Sequence, residues 1–221
     1  MALPSPQDEG GDKGLVEALL EGDQDSFARI VDAWSPGMLH LARCYVSTDS
    51  AAEDVVQEAW LGALRGLANF EGRSQLRTWV LRIVANIAKT WGQREYKAVP
   101  FASAPFPTGP TVAPDRFQPP GVPGAGAWST PPQPWPSLPE DELLTTEARQ
   151  VLRRAMADLP EGQRAVIELR DLDGYEASEV CEALGLTPGN QRVLLHRARA
   201  AVRARVEPYF ARGASPAGGQ P

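Results

Sequence analysis

Leu159–Arg205 reads LPEGQRAVIELRDLDGYEASEVCEALGLTPGNQRVLLHRARAAVRAR, and this stretch decides the fold class. Two helical patterns flank a tight turn at Gly185, and the second is abruptly basic. From Arg192 to Arg212 there are six arginines and one acid, Glu207. Thr187 can cap the second helix, and Pro188 falls at its first position. Leu194, Ala198, Ala201 and Val202 recur at helical spacing and can face a core, while Val180, Cys181 and Leu184 give the supporting helix its apolar side. Arg192, His196, Arg199 and Arg203 recur on another face. Asparagine and glutamine near a helix start suit base edges, and arginine suits guanine or phosphate. A helix-turn-helix reading DNA is therefore expected, with Asn190, Gln191, Arg192, His196, Arg199 and Arg203 as its candidate contacts.

Working outward, the chain has 221 residues and a net charge of -6, an acidic balance that does not itself announce a DNA binder. Distribution resolves the conflict. Residues 23–98 carry nine acids and nine bases, and residues 141–212 carry twelve acids and eleven arginines. Each half is locally bipolar, which suits a chain that binds both a protein and DNA. Cys44 and Cys181 stand far apart and form no C-x-x-C pair, which favours a reducing compartment. His40 and Cys44 could share a helix face, but no further ligand stands nearby, so packing is favoured over zinc. No signal peptide or membrane span is visible, and a cytoplasmic location is expected without direct membrane insertion. No catalytic residues, metal ligands or cofactor motif emerge.

Residues 99–139 hold thirteen of the 21 prolines and only two charges, Asp115 and Arg116. Such a segment cannot build a core and reads as a tether, about 35–40 Å end to end as a coil and on the order of 130 Å when extended. Phe101, Phe106, Phe117, Trp128 and Trp135 are scattered through it. The expectation is an all-α chain of two small helical domains, at 13–98 and 141–207, joined by a Pro-rich linker at 99–140. Residues 1–12 and 208–221 are expected to be disordered.

In the first domain, Phe27 to Tyr45 gives an amphipathic stretch, expected to break near Pro36. Ser50 and Glu53 form an expected capping box for the helix that follows. Asp49, Glu53, Asp54 and Glu58 make the first turns of that helix wholly negative, which suits its dipole and also a basic partner. The loop NFEGRS leads into a further helix, QLRTWVLRIVANIAKTWGQRE. Leu76, Val80, Ile83, Val84 and Ile87 are its expected buried stripe. Trp79, Arg82, Asn86, Lys89 and Gln93 line another side, and such a basic face with an aromatic suits single-stranded nucleic acid. Trp79 and Trp91 fit a core equally well.

Taken in order, AEDVVQEAW (Ala52–Trp60), FEGRSQLRTWVLRIVAN (Phe70–Asn86), a linker and LPEGQR…LRDLDGY…LGLTPGNQRVLLHRAR resemble the extracytoplasmic-function sigma factors of bacterial RNA polymerase. The resemblance implies a sigma-2 domain at 23–98, followed by a sigma-4 domain at 141–207. It implies that Glu53, Asp54, Gln57, Glu58 and Leu61 dock on the β′ clamp of core polymerase. It implies that Phe70, Arg73, Trp79, Arg82, Asn86 and Lys89 serve the −10 element and its melting. It implies that the second domain reads the −35 element through Arg192, Val193, His196, Arg197 and Arg199 and sits on the β flap. The linker here is longer and less acidic than the family pattern. Glu176 stands where Ser or Thr often caps, and NQRVLLHRAR replaces a commoner GTV-type start. Group members are often held by an anti-sigma factor, a further partner the resemblance allows. The rival expectation is a free-standing helix-turn-helix regulator acting without polymerase.

Overall fold

A computed structural model describes residues 9–98 and 146–213, and every regular element among them is helical. The helices are α1 (Glu9–Leu20), α2 (Gln24–Arg43), α3 (Asp49–Gly66), α4 (Leu76–Ala98), α5 (Thr146–Ala157), α6 (Glu161–Ile167), α7 (Ala177–Leu184) and α8 (Pro188–Gly213). A 3₁₀ turn at Leu67–Asn69 follows α3, and a π-helical stretch at Glu168–Leu172 follows α6. The expected tether and its five aromatics lie outside the described residues, as do residues 1–8 and 214–221.

Two compact units share these helices. Of the described residues, the first takes 9–98 and 165–192, and the second takes 146–164 and 193–213. Within the first unit, α7 packs closely on α4.

The first unit is built on α2, α3 and α4, which pack on one another. Met38 and Leu41 of α2, Val55 of α3, and Leu76, Leu81 and Val84 of α4 are fully buried. Each contributes on the order of 1.5–3 kcal/mol by leaving water. The buried stripe of α4 also takes in Ala85 and Ala88, whereas Ile83 and Ile87 are only half-buried.

Three local expectations are corrected. Pro36 does not break α2, which runs through it for 20 residues. The ring removes one hydrogen-bond donor, but the neighbouring Gly37 and Met38 are buried in the bundle. The cap of α3 is Thr48 rather than Ser50: Ala51 N–H donates to Thr48 Oγ1 at 3.1 Å. Helix also extends past both expected limits, because α1 begins at Glu9 and α8 continues through Pro208 to Gly213. Asp12, expected to be disordered, accepts a hydrogen bond of 2.6 Å from the backbone N–H of Leu76 at the start of α4. That carboxylate satisfies one of the amides a helix start leaves unpaired.

In the second unit, Ala155 and Leu159 are buried with Leu195, Ala198, Ala200, Ala201 and Val206 of α8. Leu195 is the buried member of the Leu194–Leu195 pair, and Leu194 is half-buried. Arg205 pairs with Asp158.

Candidate protein and nucleic-acid interfaces

Thr48 and the acidic first turn set α3 going, and Ala51, Ala52, Val55, Val56, Ala59 and Trp60 turn its apolar side inward. Helical spacing then leaves Glu53, Asp54, Gln57, Glu58 and Leu61 on the outside, and all five are exposed. Leu61 and Leu64 are 53% and 44% exposed, so the acidic ridge ends in an uncovered apolar patch. Glu58 is tied down, since Trp91 Nε1 of α4 donates to its Oε2 at 3.0 Å.

The loop between α3 and α4 is set by the turn at Leu67–Asn69 and by Gly72, whose φ of 67° suits glycine. Arg73 is exposed and pairs with Glu71 at 2.8 Å. Phe70 packs on Trp79 with ring centroids 5.2 Å apart. Both rings are half-buried. Trp79 lines an apolar groove with Leu19, Phe27, Trp34, Trp60 and Leu67, so its ring serves the core. Within that groove, Trp34 stacks on Trp60 and Phe27 meets Trp60 edge-on. Farther along α4, Arg82 and Asn86 are exposed. Lys89 is not: it is half-buried, and its ammonium donates to the carbonyl oxygen of Leu184 at 3.0 Å. Burial lowers its pKa from the usual lysine range.

The turn before α8 uses Gly185 at φ 69°, the left-handed cap of α7. Asn190 N–H then donates to Thr187 Oγ1 at 3.2 Å, as the sequence predicted. Asn190, Arg192, Val193, His196, Arg197 and Arg199 are exposed, and Arg203 is half-buried. Gln191 departs from expectation. It is 2% exposed, and its Nε2 has no hydrogen-bond partner among the described residues, so it does not offer its amide to a base edge in this conformation.

One cluster was missed by sequence reasoning. The guanidinium of Arg77 on α4 lies over the Tyr175 ring at 4.4 Å. His40 Nδ1 on α2 lies 3.5 Å from Asp173 Oδ1 and 3.7 Å from Glu168 Oε1. Burial pushes the Asp173 carboxyl above its usual range, against the pull of His40 and Arg77. Burial also pushes the Tyr175 hydroxyl up. The motif RDLDGY held the only sequence signal, a glycine turn between an acid and an aromatic; Gly174 sits at φ 75°.

No group of His, Cys, Asp and Glu among the described residues could hold a metal ion. None of their helices is long and apolar enough to cross a membrane.

The two halves each match a family model. Residues 30–96 match sigma-70 region 2, and residues 149–202 match sigma-70 region 4. These define the class as a sigma-70-type transcription factor. The "ECF RNA polymerase sigma-E factor" of Escherichia coli (strain K12) is 31% identical over 201 residues, covering 91% of this chain and 97% of that protein. The protein of the same name from Haemophilus influenzae is 27% identical over 199 residues, covering 90% and 97%. The chain belongs to the extracytoplasmic-function family of RNA polymerase sigma factors. Two solved structures share its fold at 20% identity. One is CnrH in complex with the cytosolic domain of CnrY, at a TM-score of 0.56, covering 94% of this chain and all of that one. The other is the sigma factor RpoE with the anti-sigma factor NepR from Bartonella quintana, at 0.52, covering 82% and 96%. The function is that of a sigma factor, which directs core polymerase to promoters and aids their melting. The rival reading, a free-standing regulator, is overturned by the paired region 2 and region 4 matches.

Proposed function

We propose a division of labour among the surfaces described above. The exposed ridge of Glu53, Asp54, Gln57 and Leu61 on α3 docks on the β′ clamp of core polymerase, with Glu58 as its edge. Arg73, Arg82 and Asn86, with Lys89 once freed, hold the −10 strand as it opens, and the Phe70–Trp79 pair stiffens the loop beside them. Asn190, Arg192, Val193, His196, Arg197, Arg199 and Arg203 engage the −35 element. The β flap receives the sigma-4 region.

Phosphate contacts by the arginines supply affinity and salt dependence, and a few base contacts supply selectivity. The chain is no enzyme; the bond-making chemistry belongs to core polymerase. It works in the cytoplasm, where core polymerase and DNA are found. An anti-sigma factor is a further partner, since the RpoE neighbour is solved in complex with the anti-sigma factor NepR.

The observation that carries this reading is the uncovered acidic and apolar side of α3, which no described helix covers. The test is reconstitution. Purified chain and bacterial core polymerase, supplied with fragmented DNA from the source genome, yield protein-dependent transcript starts sharing two upstream motifs. An absence of protein-dependent starts overturns the reading.

A further inference from the structure

We propose that the aromatic groove of the first unit is a docking site for the chain's own proline-rich segment Thr130–Pro139, held there as a polyproline II strand. The site does not depend on where core polymerase docks.

The groove sits among α1, α2, α3 and the start of α4. Leu19, Phe27, Trp34, Trp60, Leu64 and Trp79 line it, and every lining side chain among the described residues is aliphatic or aromatic. Leu19, Phe27, Trp34 and Trp79 are only half-buried, and Leu64 is exposed. Trp34 lies nearly parallel to Trp60, with centroids 6.2 Å apart, and Phe27 meets the same ring edge-on, so the three rings form one wall. The Trp60 indole N–H donates to Ser35 Oγ at 3.1 Å. That of Trp34 makes no hydrogen bond among the described residues. Aromatic-lined grooves take proline-rich strands, because flat rings pack on pyrrolidine rings and the strand's carbonyls stay free to accept.

The occupant comes from the sequence outside the described residues. Residues 130–139 read TPPQPWPSLP, with five prolines, no glycine and no charge. The glycines of residues 99–139, at 109, 121, 124 and 126, all precede it. Polyproline II has three residues per turn, so Pro132, Trp135 and Leu138 share one face over about 19 Å. Each proline lacks an N–H that burial would leave unpaired. The segment also carries no ion into an apolar site, where an unpaired charge is costly. Proline's fixed φ lowers the ordering cost of binding.

Chain length puts the segment within reach. Val80, at the groove, lies 18 residues before Ala98, the end of α4. That is about 27 Å of helix. Another 34 residues separate Ala98 from Pro132. A coil of that length averages about 32 Å end to end. A tethered segment of matching span is presented at roughly millimolar effective concentration. An interaction too weak to hold a free peptide at micromolar concentration therefore suffices within one chain.

The experiment uses the full chain labelled with fluorotryptophan. Its six tryptophan resonances are assigned by replacing each tryptophan with phenylalanine in turn. The labelled synthetic peptide TPPQPWPSLP is the reference for an undocked segment. A soluble gadolinium chelate should broaden the Trp135 resonance several-fold less in the chain than in the peptide. Leu64→Glu, at the exposed rim, should return Trp135 to the peptide's value with an unchanged circular dichroism spectrum. The segment variant Pro132→Gly with Leu138→Gly should do the same and also move the Trp34 resonance. That second shift ties the loss to the groove even if Leu64→Glu fails to fold. A peptide-like Trp135 in the parent chain overturns the proposal, as does a Trp34 resonance that the segment variant leaves unmoved. Protection that survives Leu64→Glu in a folded chain places the segment elsewhere. Protection that fades on dilution places it on a second copy. Either result overturns docking in this groove within one chain.

Discussion

Lys89 on α4 donates to the carbonyl oxygen of Leu184, the final residue of α7, at 3.0 Å. A helix ends with unpaired carbonyls and a partial negative charge, so a cation there is favourable. The same lysine is one that the sequence assigns to nucleic acid. The bond therefore occupies the ammonium that the proposed −10 surface would use.

Thr48, and not Ser50, caps α3, because Ala51 N–H bonds to Thr48 Oγ1. Thr48→Ala should cost about 1 kcal/mol in urea unfolding. Ser50→Ala should cost far less. The reverse ranking would restore the capping box expected from the sequence.

Asp54 and Gln57 are exposed and make no side-chain hydrogen bond among the described residues, whereas Glu58 receives the Trp91 indole. Asp54→Arg with Gln57→Arg should weaken core polymerase binding at least ten-fold and leave the circular dichroism spectrum unchanged. Unaltered affinity would remove α3 from the docking surface.

Asn86 is exposed on α4, and its backbone carbonyl accepts from Thr90 Oγ1 at 2.8 Å. Asn86→Ala should reduce open-complex formation several-fold while closed-complex binding changes little. An equal loss in both steps, followed by footprinting at low and physiological temperature, would count against a part in holding the opened strand.

Asp173 has its carboxyl pKa raised from 3.8, first by burial, with His40 and Arg77 opposing. The sign follows from linkage. A raised folded-state pKa gives stability that is complete below 3.8 and lost as pH rises through the folded value. At neutral pH the ionised carboxylate is therefore a net cost to the fold. Asp173→Asn should be at least as stable as the parent at pH 7, with the difference shrinking as pH falls toward 4. Denaturant titrations of both chains across that range check this, and a marked loss of stability at pH 7 would show that the His40 and Arg77 contacts outweigh burial.

Much of this was legible in the residues. The turn LGLTPGN encodes its own geometry, with glycine at a positive φ, threonine as cap and proline at the first helical position, so α7 and α8 fall where the spacing predicts. The acidic ridge of α3 was equally plain, because periodicity separates five polar or exposed positions from six buried ones. Contacts between distant segments were not legible. Nothing in the local pattern around Lys89 says that it will meet Leu184, 95 residues away. Gln191 looked like a base reader because its type and place suit one, yet tertiary packing buries it. Pro36 misled for a similar reason: a proline's local penalty was outweighed by burial of the residues that follow it.

The most direct measurement of the central claim is permanganate footprinting of thymines at the −10 element of a mapped promoter. Duplex is incubated with the chain alone, with core polymerase alone and with both. A sigma factor that loads polymerase and captures an opened strand predicts reactive thymines only when both are present. Reactivity that is absent from the combined sample, or that core polymerase produces unaided, would contradict the account.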